Sequence, residues 1–241
     1  ESAAFATAVC WSLTALFFSF SGRRVGSDVV NRSRLLFAIG LYAVAHRLLV
    51  GNWLPVGAGS ERWGWLALSS VLGLVVGDSA LFQAYVLVGP RLSMLVMSLV
   101  PILGTCLAWV LLGETVTATE VTGIALTVGG VAWVVVAPDP AGTPGGRRDY
   151  RLGIVLALGG ALGQASNLIA ARYGLAGDFP AGTGRYIRIL GAATALWGVS
   201  HARRDVGRIA GRWHDRRALA AMLGGALVGP FLGIWLSLYA V

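Results

Sequence analysis

The chain has 241 residues, of which 56% are hydrophobic and only 12% charged, where ordinary soluble domains carry about 25% charged residues. All 19 basic residues are Arg, the formal net charge is +8, and the arginines fall mostly in short segments between apolar runs. This excludes a nucleic-acid-binding protein, which needs a continuous basic face, and is the pattern of topology-setting loop charge in a membrane protein.

A hydrocarbon core of about 30 Å takes about 20 apolar residues per helix. On that ruler eight spans are expected, at 2–21, 34–50, 63–88, 91–112, 119–137, 151–173, 183–201 and 217–241. The fold class is all-α, a polytopic membrane protein. Glu1 is not an initiator methionine and Val241 falls inside an apolar run, so the chain reads as a fragment. The first span lacks the basic n-region and the cleavage pattern of a signal peptide. Trp11 stands near its middle, beside Ser12, and is a candidate cavity wall. Arg34 opens the second span, where arginines commonly snorkel to headgroups; the alternative is an anion site or a counter-ion for Asp78.

Asp78 lies mid-span in the third segment, LGLVVGDSALFQAY. An intramembrane carboxylate is costly and faces a cavity or a partner, so Asp78 is the first candidate for binding a cationic group or carrying a coupling proton. Gln83 and Tyr85 follow at about 140° and 20° from it around the helix, which puts Tyr85, with Leu81 and Phe82, on the Asp78 stripe. The fourth span is broken by Pro101 and ends in Gly113-Glu114. A carboxylate at a helix C-terminus opposes the dipole, so Glu114 is expected to cap the next helix, starting at Thr117 or Thr119, or to act as a gate. Gly123, Gly129 and Gly130 mark the fifth span as a tight-packing helix.

The Pro/Gly-rich segment 138–150 reads as a linker between two halves. In the sixth span Gln164 and Asn167 are three apart and share a face, suited to interhelical hydrogen bonds or to substrate recognition. Arg188, and with it Arg185, heads the seventh span and roughly matches Arg34. The eighth carries Gly225, Gly229, Gly233 and Ser237 as a flat packing face. Pro101 and Pro230 are candidate hinges. Ser69, Gly73, Gly77 and Ala84 match Gly225, Gly229, Gly233 and Ala240 at a constant spacing of 156. Five helices per half is an odd number, so two such halves would be inverted in the membrane. Domains are accordingly expected at 1–137 (five helices) and 151–241 (three helices), joined by the linker.

The stretch 90–136 resembles the signature of EamA-type transporters in the drug/metabolite transporter superfamily. Pro101, Gly113, Glu114, Gly123, Leu126, Gly130 and Val131 stand at the matching positions, and the likeness extends more weakly through ATAVCWSLTALFF and GDSALFQAY. The resemblance implies an inverted-repeat bundle of ten helices, about eight of them present here. It also implies outward transport of a small metabolite, such as an amino acid, by alternating access. The expected location is multi-pass in the cell membrane, the inner membrane of a bacterium. The expected partners are the bilayer, the small-molecule substrate and coupling protons, with the protein a monomer or homodimer. The family's cytoplasmic termini disagree with the arginine count, which places the odd-numbered loops in the cytoplasm and the N-terminus outside.

A non-transporting scaffold or an integral-membrane enzyme is the competing class. No cofactor is expected. The chain has no Lys, hence no P-loop and no retinal Schiff base. No metal is expected either, because His46, His201 and His214 lack ligand spacing. Cys10 and Cys106 read as small packing residues. FSFSG around Ser21 faintly resembles an intramembrane serine protease motif, without a His placed to activate it.

Overall fold

A computed structural model describes residues 2–136 and 146–233. Every described element is helical. In chain order they are α1 (Ser2–Val25), α2 (Ser27–Val50), α3 (Ser60–Ser70), a π-helical stretch (Val71–Gly77) and α4 (Asp78–Leu87). Next come α5 (Gly89–Met97), α6 (Val100–Leu112), α7 (Ala118–Val136), α8 (Gly146–Gly174), α9 (Ala181–Ala202) and α10 (Val206–Gly211). Last is α11 (Arg216–Ala226), which runs on as a second π-helical stretch (Leu227–Gly233). Among the described residues six segments are long and apolar enough to cross a membrane: Phe5–Val25, Ser27–Val50, Ser60–Leu87, Gly89–Leu112, Ala118–Val136 and Gly146–Gly174. The 22-residue α9 is less apolar because it carries Arg185 and Arg188. The protein is a polytopic, all-helical membrane protein.

Several boundaries differ from a hydropathy reading, each for a physical reason. α1 and α2 are separated only by Gly26, at a φ of 100° that a side chain would disfavour. The polar segment SDVVNRSR therefore forms the first turns of α2, and Arg34 is not at a helix head. α8 starts at Gly146, so the last five residues of the expected linker are helical, and the Tyr150 hydroxyl donates to the Val135 carbonyl of α7 at 2.8 Å. The fourth span breaks between Met97 and Val100, and Pro101 sits in the first turn of α6, where its missing N–H leaves no bond unmade. Gly113 closes α6 at φ 67°. Pro230 falls inside the second π stretch; Ser237 and Ala240 lie outside the described residues.

Glycine seams decide which helices meet. A Cβ on Gly163 of α8 would stand 2.8 Å from both the Gly77 Cα and the Leu72 carbonyl, and one on Gly73 would stand 2.7 Å from the Asn167 side chain. α8 thus lies directly on the first π stretch. In the same way a Cβ on Gly225 would meet the Phe18 ring at 2.6 Å, and Gly229 faces Thr14, so α11 and its π stretch lie on α1. Shifted by 156 residues, the bounds Ser60, Ser70, Val71 and Gly77 become Arg216, Ala226, Leu227 and Gly233. α1 ends and α8 begins at one face, where Gly89 faces Arg23 and Gly153 packs on Val88. α3 and α11 therefore run in opposite senses.

The expected seam on α7 is not made. No described atom comes within 4 Å of a Cβ built on Gly123, Gly129 or Gly130. The helix is exposed along most of its length, with Val131 its buried residue and Trp133 82% exposed. Glycine permits close approach but does not supply the neighbour. Cys106 is likewise exposed, so it is not a packing residue among the described ones.

At the face carrying the odd-numbered connections, Asp215 accepts from the Ala218 amide at 3.1 Å and from Arg24 at 2.8 Å, capping α11 and tying it to α1. The Ala218 amide and the Arg24 guanidinium hold the Asp215 carboxyl below its usual range. The folded pKa lies under the unfolded one, so this stabilisation is complete at neutral pH and is lost as pH falls through the ordinary carboxylate range and below. The melting-temperature gap between wild type and Asp215→Asn is expected to narrow from pH 7 to below about pH 4. A gap constant across that range would refute the assignment.

Candidate functional site

The first π stretch delivers Asp78 to the interior. A π turn inserts a residue into the helical repeat and re-aims the face that follows, and such turns recur at functional sites. Asp78 is the first residue of α4 and is 7% exposed. Because Gly73, Gly77 and Gly163 let α8 come close, the Gln164 and Asn167 amides lie directly across from it.

From Asp78 a continuous hydrogen-bonded chain runs through the bundle. Gln164 Nε2 donates to Asp78 Oδ1 at 2.7 Å, and Asn167 Nδ2 donates to Gln164 Oε1 at 3.0 Å. Asn167 Oδ1 accepts from Arg188 Nη2 and, at 2.7 Å, from Ser69 Oγ. On the other side Arg34 Nη2 donates to Asp78 Oδ2. Arg34 Nε and Nη2 both reach Asn31 Oδ1, at 3.0 and 2.9 Å. Asn31 Nδ2 then donates to Ser79 Oγ at 2.8 Å. The order is self-consistent: Arg188 can only donate, which fixes the Asn167 amide, which fixes the Gln164 amide, which presents a donor to Asp78. Among the described residues every side-chain hydrogen-bond partner of the Asp78 carboxylate is a donor, the arrangement that an ionised carboxylate requires.

Aromatic rings surround the pair. The Arg34 guanidinium lies 4.9 Å from the Phe82 ring centre and 6.0 Å from that of Phe18, within cation–π range. Tyr85 is 4% exposed, stacks on Phe82 at 5.8 Å and points its hydroxyl at Met94 Sδ, 3.2 Å away. The Asp78, Leu81, Phe82 and Tyr85 stripe is buried as a unit. Further along α9, Arg185 is hydrogen-bonded to the Tyr42 hydroxyl, and both Arg185 and Arg188 lie within electrostatic range of it.

The structure thus gathers Asp78, Arg34, Gln164, Asn167 and Arg188 in one network and places Tyr85 beside it. Arg34 and Arg188 are 5% and 6% exposed. Neither snorkels: α2 starts a full two turns before Arg34, and Arg188 lies two turns inside α9. Trp11 is 37% exposed and outside the network, although its seven-residue spacing puts it on the same stripe of α1 as the buried Phe18. Glu114 does not cap α7. That role belongs to a capping box, in which Glu120 Oε2 accepts from the Thr117 amide at 2.7 Å and the Glu120 amide donates to Thr117 Oγ1 at 3.3 Å. Glu114 instead pairs with Arg172 at the end of α8, 2.5 Å away.

Asn31, Ser69, Ser79 and Tyr42 were not among the expected site residues. Asn31 precedes Arg34 by three residues, a same-face spacing visible once α2 is started at Ser27. A groove of about 730 Å³ on the outer face of α2, lined by Leu36, Gly40, Val44 and Phe231 among others, is almost wholly apolar. It holds none of this chemistry, and Phe231, edge-on to Tyr42 at 5.9 Å, walls it off from the polar network.

A search of curated proteins gives no match. The family model of the EamA-like transporters matches residues 1–136, the stretch from α1 through α7 that holds Arg34, Asp78 and Tyr85. That match spans more than half of the 241 residues, and with the helical membrane architecture it identifies the chain as a membrane transporter that belongs to the EamA-like transporter family.

Proposed function

We propose that the protein is a secondary transporter that carries a small polar organic metabolite outward across the cell membrane by alternating access. The observation that carries this reading is the buried network itself. It joins α2, α3 and α4 of the segment 1–137 to α8 and α9 of the segment 151–241, so a rocking motion of one half against the other must break it at the Gln164–Asp78 and Ser69–Asn167 contacts. The recurrence of helix and π-stretch bounds at 156 residues, in opposite senses, supports two inverted repeats. Pro101 and Pro230 serve as hinges, and the exposed Glu114–Arg172 pair as a gate between the halves. An exposed pair is worth about 0–1 kcal/mol, weak enough to open in every cycle.

Asp78 is the coupling residue. Arg34 from α2, Gln164 from α8, Arg188 from α9 and Tyr85 from its own helix surround it, with Arg185 of α9 beside Arg34 and Arg188. A proton on Asp78 removes the charge that both Arg34 and Gln164 address, which frees the two halves to part. The test is flux of a solute panel through protein reconstituted in liposomes, with and without a pH gradient. No solute crossing faster than in empty liposomes would overturn the transporter reading.

The odd-numbered connections share one face and carry Arg23, Arg24, Arg91, Arg147, Arg148, Arg203, Arg204, Arg208, Arg212, Arg216 and Arg217. By the positive-inside rule that face is cytoplasmic and α1 begins outside. In a background lacking Cys10 and Cys106, a cysteine at Gly57 is expected to react with an impermeant maleimide in intact cells, and one at Gly207 only after permeabilisation. The reverse pattern would put the termini in the cytoplasm.

A further inference from the structure

The buried network is not electrically balanced. Three guanidiniums gather here, with Arg185 in electrostatic range of both Arg34 and Arg188, and the carboxylate that acts on Arg34 and Arg188 is that of Asp78. Arginine does not deprotonate in proteins, so two positive charges stand uncompensated inside a membrane protein, where an unpaired charge is expensive. The shortfall also shows atom by atom. Arg34 uses its Nε and Nη2 on Asn31 and its Nη2 on Asp78 as well. Arg188, though 6% exposed, spends Nη2 on Asn167, and its Nε is buried with no hydrogen-bond partner among the described residues, as is the Nε of Arg185. These two residues are three apart on α9 and share a face, beside the Tyr42 hydroxyl and the Tyr42–Tyr186 ring pair at 6.4 Å.

We infer that Arg185 and Arg188 form the anion subsite of the transport site, and that the carried metabolite bears a carboxylate or a phosphate. This deepens the proposed transport function and rests on it for the word substrate, although binding can be tested without transport. A guanidinium presents a fork of donors matched to two oxygens of one oxyanion. Two such forks, each with an idle Nε, suit a single carboxylate or phosphate group. The aromatic pair beside them offers an apolar wall to the organic remainder. A carboxylate offsets one of the two charges and a phosphate dianion both, so the site is better satisfied occupied than empty.

The experiment measures equilibrium binding and melting temperature of the full protein in nanodiscs with succinate, inorganic phosphate, succinamide and putrescine as probes, chloride being the background anion. Succinate or phosphate, or both, is expected to bind and raise the melting temperature, whereas succinamide and putrescine do neither. Preference for one of the two anions decides between a carboxylate and a phosphate headpiece. Arg188→Gln and Arg185→Gln are each expected to weaken anion binding by roughly 10- to 100-fold, the worth of a lost charge-assisted contact. Their ligand-free melting temperatures should stay at or above the wild-type value, since each removes an uncompensated charge; a purely structural arginine would lower it. Arg188→Lys keeps the charge and loses the fork, and should bind with intermediate affinity. Anion binding unchanged in both Gln variants, or binding of succinamide or putrescine but neither anion, would overturn the inference. If anions bind as expected but no solute crosses liposomes, the subsite stands and the transporter reading falls.

Discussion

Asp78→Ala is expected to be the most damaging single change outside a main-chain contact, lowering stability by about 3–5 kcal/mol in detergent unfolding. It leaves the Arg34 guanidinium buried without its counter-ion, held by Asn31 Oδ1 and the faces of Phe82 and Phe18. Asp78→Asn is subtler and more informative. An ionised Asp78 accepts from Arg34 on one oxygen and from Gln164 on the other, but an amide has one acceptor, so its NH2 must confront a donor. Flipping Gln164 transfers the conflict to Asn167, and flipping Asn167 transfers it to Arg188, which can only donate. One mismatch survives wherever it is placed, at about 1–3 kcal/mol for an unsatisfied buried group. If Asp78 carries the coupling proton, the same variant transports without pH dependence or not at all. The double change Arg34→Leu with Asp78→Leu should recover most of the stability lost in Asp78→Ala, because removing both members of a buried pair is close to neutral. An Asp78→Asn protein with wild-type stability and an unchanged pH profile would remove Asp78 from both roles.

How far this site could be read in advance differs from residue to residue. Asp78 was legible because a carboxylate in the middle of an apolar run has few bland explanations. Tyr85 followed by helical arithmetic, and Gln164 with Asn167 by their three-residue spacing. Their meeting with Asp78 was not legible, since spacing fixes a face but not its partner. Arg34 and Arg188 were read as helix heads because a hydropathy ruler discards SDVVNRSR and the arginines of α9, although polar residues that face one another inside a bundle satisfy each other there. The π stretch has no signature in VLGLVVG, whose residues suit an α-helix equally well. The glycines illustrate the same limit from both directions: Gly77 and Gly225 proved to be close-packed, whereas Gly123 and Gly130, equally regular in sequence, face no described neighbour.

That contrast gives the second large effect. Gly163→Ala is expected to destabilise the protein by about 1–3 kcal/mol or more, because its Cβ would stand 2.8 Å from the Gly77 Cα and from the Leu72 carbonyl. Both are main-chain atoms inside a helix, so relief requires α8 to retreat from the first π stretch rather than one side chain to rotate. Retreat lengthens the neighbouring Gln164–Asp78 bond, so flux should fall together with stability. Gly130→Ala makes no clash within the described chain and replaces the poorer helix former with the better one, a gain of up to about 1 kcal/mol. Thermal unfolding of the two variants side by side separates packing from propensity. Equal effects at the two positions would mean that α8 does not lie on the π stretch as described. The network would then lose the contact that brings its amides to Asp78, and with it the link between the two halves on which the proposed cycle depends.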